Sequence, residues 1–127
     1  MTVVLDASAL LALLKGEPGA EAVAAALGDA VISAVNLQEV LKDLLRDDRT
    51  LDEARAILAK LPLIVRPHDQ EAAFAAAALV GATQRFGRGL GDRTCMALGI
   101  TLGVPVLTAD RAWRRVEIDG LDLRFIR

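Results

Sequence analysis

Val3-Val4-Leu5-Asp6-Ala7-Ser8-Ala9 takes an apolar run straight into an acid. Three aliphatic residues with no polar alternation suit a strand buried on both faces, as strands of a parallel sheet are. Ser8 then begins an apolar helix through about Lys15, stopped by Gly16 and Pro18. The unit is strand, acid, helix. An acid in that place is costly unless donors or a positive charge face it.

The rest of the chain repeats the alternation. Residues 20–27 form an alanine-rich helix and Ala30–Ser33 a second strand. Residues 35–46 form a helix with Leu37, Val40, Leu41, Leu44 and Leu45 on one stripe. Thr50, with Glu53 at capping-box spacing, opens a helix to about Lys60. Leu63–Arg66 is a third strand, and Asp69 caps a long helix to about Phe86 with Ala72, Ala75, Ala76, Leu79 and Thr83 near one face. Residues 92–102 form a helix closed by Gly103; Pro105–Thr108 is a fourth strand and Leu121–Ile126 a final edge strand. Such an order predicts an α/β fold, a mostly parallel sheet with helices on both faces. In open sheets of this kind the ligand crevice lies outside the carboxyl ends of the strands.

Composition narrows the function. The chain has 127 residues, which fits one domain spanning 1–127, and 54% of them are hydrophobic, enough for a real core. A formal net charge of −2 is not the balance of a protein that coats nucleic acid. Cys95 is the single cysteine, expected as a buried thiol in a helix, so an intrachain disulfide and a zinc cluster are both excluded. His68 is the single histidine, placed in a loop, and no Ser/His/Asp or Cys/His set is visible. No apolar run approaches the ~18–20 residues of a membrane span. The opening residues lack the basic and long apolar regions of a signal peptide, so the cytoplasm is the expected location.

Four acids remain for chemistry: Asp6, Glu39, Asp92 and Asp110. Asp6 and Asp110 fall at or just past strand ends. Each has an ordinary alternative, since Asp6 could cap the first helix and Asp is common in turns. Asp92 projects onto the same side of its helix as the stripe Cys95, Leu98, Gly99 and Leu102, where an inward acid needs a partner. Glu39 lies nearly opposite the leucine stripe of its helix, with Lys42 three residues on as a surface pair; Asp43 is expected in solvent. A hard divalent cation is the natural counter-charge for converging acids, and Arg85, Arg88, Arg93, Arg111, Arg114 and Arg115 cluster in sequence around two of them.

Together these residues resemble the PIN-domain ribonucleases, and within them the VapC-type toxins of bacterial and archaeal toxin–antitoxin pairs. The similarity is carried by Val4-Leu5-Asp6-Ala7-Ser8-Ala9-Leu10, Ser33-Ala34-Val35-Asn36-Leu37-Gln38-Glu39-Val40, Gly89-Leu90-Gly91-Asp92-Arg93-Thr94-Cys95 and Pro105-Val106-Leu107-Thr108-Ala109-Asp110-Arg111, in order from Thr2 to Arg127. The resemblance implies a three-layer α/β/α sandwich with a parallel sheet. It implies Mg²⁺ or Mn²⁺ held by Asp6, Asp92, Asp110 and Glu39, endonucleolytic cleavage of RNA, a short antitoxin that covers the site, and a homodimer. Some members carry a further acid after the last motif; Arg111, Ala112 and Trp113 stand there instead.

On that reading, Ser8 and Thr108 donate hydrogen bonds to the carboxylates or merely cap and finish their elements. Arg93 and Arg111 are the candidates for phosphate contact. Trp113 either stacks on a base or anchors its loop. The apolar first helix is either buried or partly covered by the antitoxin. A dehalogenase-type phosphotransferase would need a second acid where Ser8 stands, and a receiver domain would need paired early acids. The alternative from another class is a catalytically inactive PIN-like protein-binding module.

Overall fold

The computed structural model describes residues 1–84 and 89–127. The far end of the predicted long helix, at Phe86, and the arginines Arg85 and Arg88 lie outside the described residues. Five strands form one sheet: β1 (Val3–Leu5), β2 (Ala30–Ser33), β3 (Ile64–Arg66), β4 (Val106–Thr108) and β5 (Leu123–Phe125). Their order is β3-β2-β1-β4-β5, and every pairing is parallel. The predicted sheet is therefore present, with both ends of the order closed by edge strands. The chain adds strands on one side of β1 and then crosses to the other side for β4. That reversal opens a crevice at the carboxyl ends of β1 and β4, the usual ligand position in such sheets.

The helices are α1 (Ala7–Lys15), α2 (Ala20–Ala26), α3 (Ala34–Arg46), α4 (Leu51–Ala59), α5 (Gln70–Ala77), α6 (Val80–Thr83) and α7 (Leu90–Leu102). Side chains alternate across the strands and so feed two cores. Val3, Leu5, Ala30 and Ile32 face one core with Leu10, Val23, Val40 and Leu44. Val4 and Val106 face the other with Cys95, Met96, Trp113 and Val116. The result is helix, sheet, helix in three layers. Among the described residues no helix is long and apolar enough to cross a membrane.

Local chemistry explains most boundaries. Thr50 and Glu53 form the predicted capping box, with Glu53 N to Thr50 Oγ1 at 3.1 Å and Thr50 N to Glu53 Oε1 at 2.9 Å. Asp69 accepts from Ala72 N at 3.0 Å and caps α5. Ser33 ends β2 and also caps α3, accepting from Val35 N at 3.2 Å. The C-cap of α7 is Gly103, as expected. Gly99 allows α7 to lie directly on β4, since a Cβ there would collide with Cγ2 of Val106.

The structure departs from expectation in three places. The long helix after Asp69 breaks into α5 and α6. A run of alanines followed by Val80-Gly81 has little side-chain area to hold one register, and the ladder tightens to Leu79 N on Ala76 O at 3.1 Å. Leu45 is exposed rather than part of the buried stripe of α3; Asn36, Val40 and Leu44 hold the inward positions. Asp43 is not simply solvated, for Lys15 Nζ pairs with it at 2.5 Å and with Asp47 at 3.1 Å. In the first helix Ala9, Leu10 and Ala12 are buried, while Leu11, Leu13 and Leu14 are only partly buried against the same core.

Candidate active site

Asp6 stands at the N-cap position of α1, yet its side chain makes no capping bond. It accepts instead from Ser8 Oγ at 2.6 Å and from Thr108 Oγ1 at 2.9 Å, both on Oδ2. Among the described residues Oδ1 takes no hydrogen bond. The two hydroxyls also hold the β4 loop, because Ser8 Oγ accepts from Ala109 N at 2.9 Å and Thr108 Oγ1 from Asp110 N at 3.0 Å. Ser8 and Thr108 thus tie the end of β1 to the end of β4 across the crevice, and they aim the Asp6 carboxylate while doing so.

Asp6 is only 5% exposed. Burial pushes its carboxyl up to about 6 from an ordinary 3.8, against the pull of the Ser8 and Thr108 hydroxyls, and the negative charges of Asp92 and Glu39 add to the rise. Those last two causes locate the acids: Asp6, Asp92 and Glu39 lie within electrostatic reach of one another. Cys95 is wholly buried, as predicted, and its thiol is pushed well up by burial and then by the charges of Asp6, Asp92 and Glu39. It therefore lies near this cluster as an inert neighbour, not a nucleophile.

Two helices present the other acids. Asp92 occupies the first turn of α7, where Gly89 N donates to its Oδ2 at 3.3 Å. Glu39 leaves the polar side of α3 and accepts from Asn36 Nδ2 at 2.7 Å, and the same nitrogen donates to Gly91 O at 2.9 Å. Among the described residues no ion pair joins Glu39 to Lys42. Gly91 is necessary for this approach, since a Cβ would stand 2.6 Å from the Glu39 carboxyl carbon. Neither Asn36 nor Gly91 was singled out by the sequence reading. Asn36 was findable, for it sits one turn before Val40 and two before Leu44 on the buried stripe. Gly91 carried no signal of its own, because the contact is made by a distant helix.

Asp110 behaves differently. Its Oδ1 accepts from Ala112 N at 3.0 Å and caps the 3-10 turn Arg111–Arg115. It is not among the charges that raise Asp6. Asp6, Glu39 and Asp92 lie within electrostatic reach of one another, and Asp110 follows β4 and is tied to Asp6 through the Thr108 hydroxyl. Arg93 is half-buried beside Asp92 in the chain, and Arg111 Nε donates to Arg127 O at 3.1 Å. Trp113 is fully buried in the second core, which removes base stacking and leaves the anchoring role.

Among the described residues no three acid, histidine or cysteine side chains form a ready-made metal cage. The donor set nevertheless fits a hard divalent cation. It is all oxygen, it is mutually repulsive, and Asp6 Oδ1 takes no hydrogen bond among the described residues. Asn36 Oδ1 is a further buried oxygen without a partner. Mg²⁺ keeps several waters and takes only one or two carboxylates directly, so a full cage is not required.

The family model for the PIN domain matches residues 3–119. The chain belongs to the PIN-domain family. Solved PIN-like folds agree in architecture across nearly the whole length. A chain of VapBC2 from Rickettsia felis, crystallised with a promoter DNA fragment, superposes with a TM-score of 0.74 at 16% identity, covering 98% of each chain. One from DNA-bound VapBC of Salmonella typhimurium gives 0.73 at 18% identity, covering 100% of this chain and 99% of that one. One from VapBC-1 of nontypeable Haemophilus influenzae gives 0.71 at 19%, covering 99% and 98%. At such identities the likeness is one of fold. No curated protein sequence matches the chain closely. In this PIN domain Asp6 and Asp110 follow β1 and β4, the paired strands at which the order reverses.

Proposed function

We propose that the chain is a divalent-metal-dependent endoribonuclease and the toxin of a VapC-type toxin–antitoxin pair, acting in the cytoplasm as one unit over residues 1–127. The observation that carries the reading is the convergence of Asp6, Glu39 and Asp92 at the sheet's switch point, with Asp6 buried against their charge. The VapBC complexes among the similar structures support a protein antitoxin as partner, and a homodimer is the expected assembly.

Asp6 and Asp92 would hold Mg²⁺ or Mn²⁺, with Glu39 and Asp110 completing the site from α3 and from the β4 loop. When bound, such an ion acidifies water and withdraws charge from a phosphate, which a chain with one loop histidine has no evident side chain to do. Ser8 and Thr108 keep Asp6 Oδ2 occupied and so direct Oδ1 toward the crevice. Asn36 holds Glu39 against the first turn of α7, which fixes the spacing between two acids from separate elements. Arg93 and Arg111 are the candidates to bind flanking phosphates as charge-assisted donors.

Incubation of the purified protein with total RNA, with and without Mg²⁺, tests the reading. Cleavage is expected only with the metal, and Asp6→Ala or Asp92→Asn should abolish it while unfolding stays cooperative. Undiminished cleavage by those variants overturns the site. No cleavage together with no metal binding favours the protein-binding module.

A further inference from the structure

A cavity of about 340 Å³ lies between α5, α7 and the carboxyl ends of β2 and β3. It is separate from the acid cluster but aligned with it. β1 and β2 pair Val4 with Val31, and β2 and β3 pair Ser33 with Arg66. Carried on by two residues, the first register sets Asp6, Ser33 and Arg66 in one row across the sheet. Strands lie ~4.8 Å apart, so Arg66 stands ~10 Å from Asp6. By strand alternation all three project on the face that α7 covers. Ser33 and Arg66 both line the cavity.

The lining has an unusual balance of chemistry. Ala97 and Leu98 give it an apolar wall, whereas Arg66, His68 and Glu71 bring a cation, an imidazole and a carboxylate to the same space. Asp69 is also there, but its Oδ1 is taken by the cap of α5. The Arg66 side chain makes no ion pair or hydrogen bond among the described residues. A pure phosphate site would not carry two acids. A pure apolar pocket would not carry a guanidinium. The set matches a flat, neutral group that offers acceptors on one edge and donors on another.

We propose that this cavity holds one unpaired base of the RNA strand whose phosphate lies at the acids, and that guanine is its best match. The inference rests on the ribonuclease reading for its strand but not for its chemistry. Guanine presents O6 and N7 as an acceptor pair for the Arg66 fork, and N1–H with the N2 amine as a donor pair for the Glu71 carboxylate. No other base offers both pairs. The His68 ring supplies a face for stacking, the usual way a splayed single-stranded base is held.

His68 is the only histidine in the chain, so its imidazole signals report the cavity without ambiguity. The test titrates GMP, AMP, CMP and UMP into the metal-free protein and follows those signals by NMR. All four carry the same phosphate, so differences among them read the base. GMP is expected to act at concentrations at least about fivefold lower than the others. Arg66→Ala and Glu71→Gln should each weaken the GMP effect by about tenfold and erase the preference. Equal responses to the four nucleotides, or no response, overturn the proposal; the second result is what a cavity serving a protein segment would give. The titration needs neither metal nor turnover, so failure of the ribonuclease reading and failure of the base site are seen separately.

Discussion

A carboxyl raised from 3.8 to about 6 holds its proton more tightly in the folded chain than in the unfolded one. Its contribution to stability is therefore fully present below pH 3.8 and is lost as pH climbs through 6. Asp6→Asn removes that titration. At pH 7 the variant should be more stable, by at most about 3 kcal/mol at ~1.4 kcal/mol per pH unit, and the gain should vanish near pH 3.5. Urea unfolding at the two pH values measures it; equal stability at pH 7 would show that Asp6 carries no such penalty. Cys95 offers a second check at this scale. With its thiol buried and held well above its ordinary range, alkylation should proceed only as fast as the protein opens.

Helices α3 and α7 approach closely where Glu39 lies against Gly91 and Asn36 donates to the Gly91 carbonyl. Gly91→Ala puts a methyl where the Glu39 carboxyl sits, so Glu39 must swing away and the Asn36 bridge must lengthen. RNA cleavage should fall by about 10²-fold, the scale of a misplaced catalytic group, with a smaller loss of stability. Gly99→Ala, two turns along the same helix, instead meets Val106 in the second core. It should cost about 1–3 kcal/mol by overpacking and affect cleavage much less. Comparing the two variants by denaturant melts and by cleavage rate separates positioning from packing. If both lose activity in proportion to stability, Gly91 has no positioning role.

Across the whole molecule, the strand order concentrates negative charge at one point, and among the described residues no cation is paired with Asp6. Bound Mg²⁺ should therefore stabilise the folded state, by ~2.7 kcal/mol at a hundredfold excess over its Kd. Thermal melts of the wild type should rise with added Mg²⁺, and melts of Asp6→Asn should rise much less. A flat response in the wild type would remove the metal from the site. The same melts with an RNA-free sample keep this result independent of any cleavage assay.

Much of this molecule is readable along the chain, because periodicity and capping act within a few residues. The strand-acid-helix opening, the Thr50–Glu53 box, the closure at Gly103 and the parallel alternation all arise from such short-range chemistry. Asp92 could be read as an inward acid, and Asp6 and Asp110 as strand-end acids, on the same basis. Relations between distant segments could not. The hydroxyls of Ser8 and Thr108 meet on one oxygen only because β1 and β4 are neighbours. Glu39, polar by its own helix, meets the first turn of α7 because Gly91 lets the two approach. Asp110, a strand-end acid in sequence, also caps its own 3-10 turn through Oδ1. Local pattern sets which face a side chain takes on its own element; the packing of elements decides which charges share a crevice, since that depends on strand order and on contacts many residues apart.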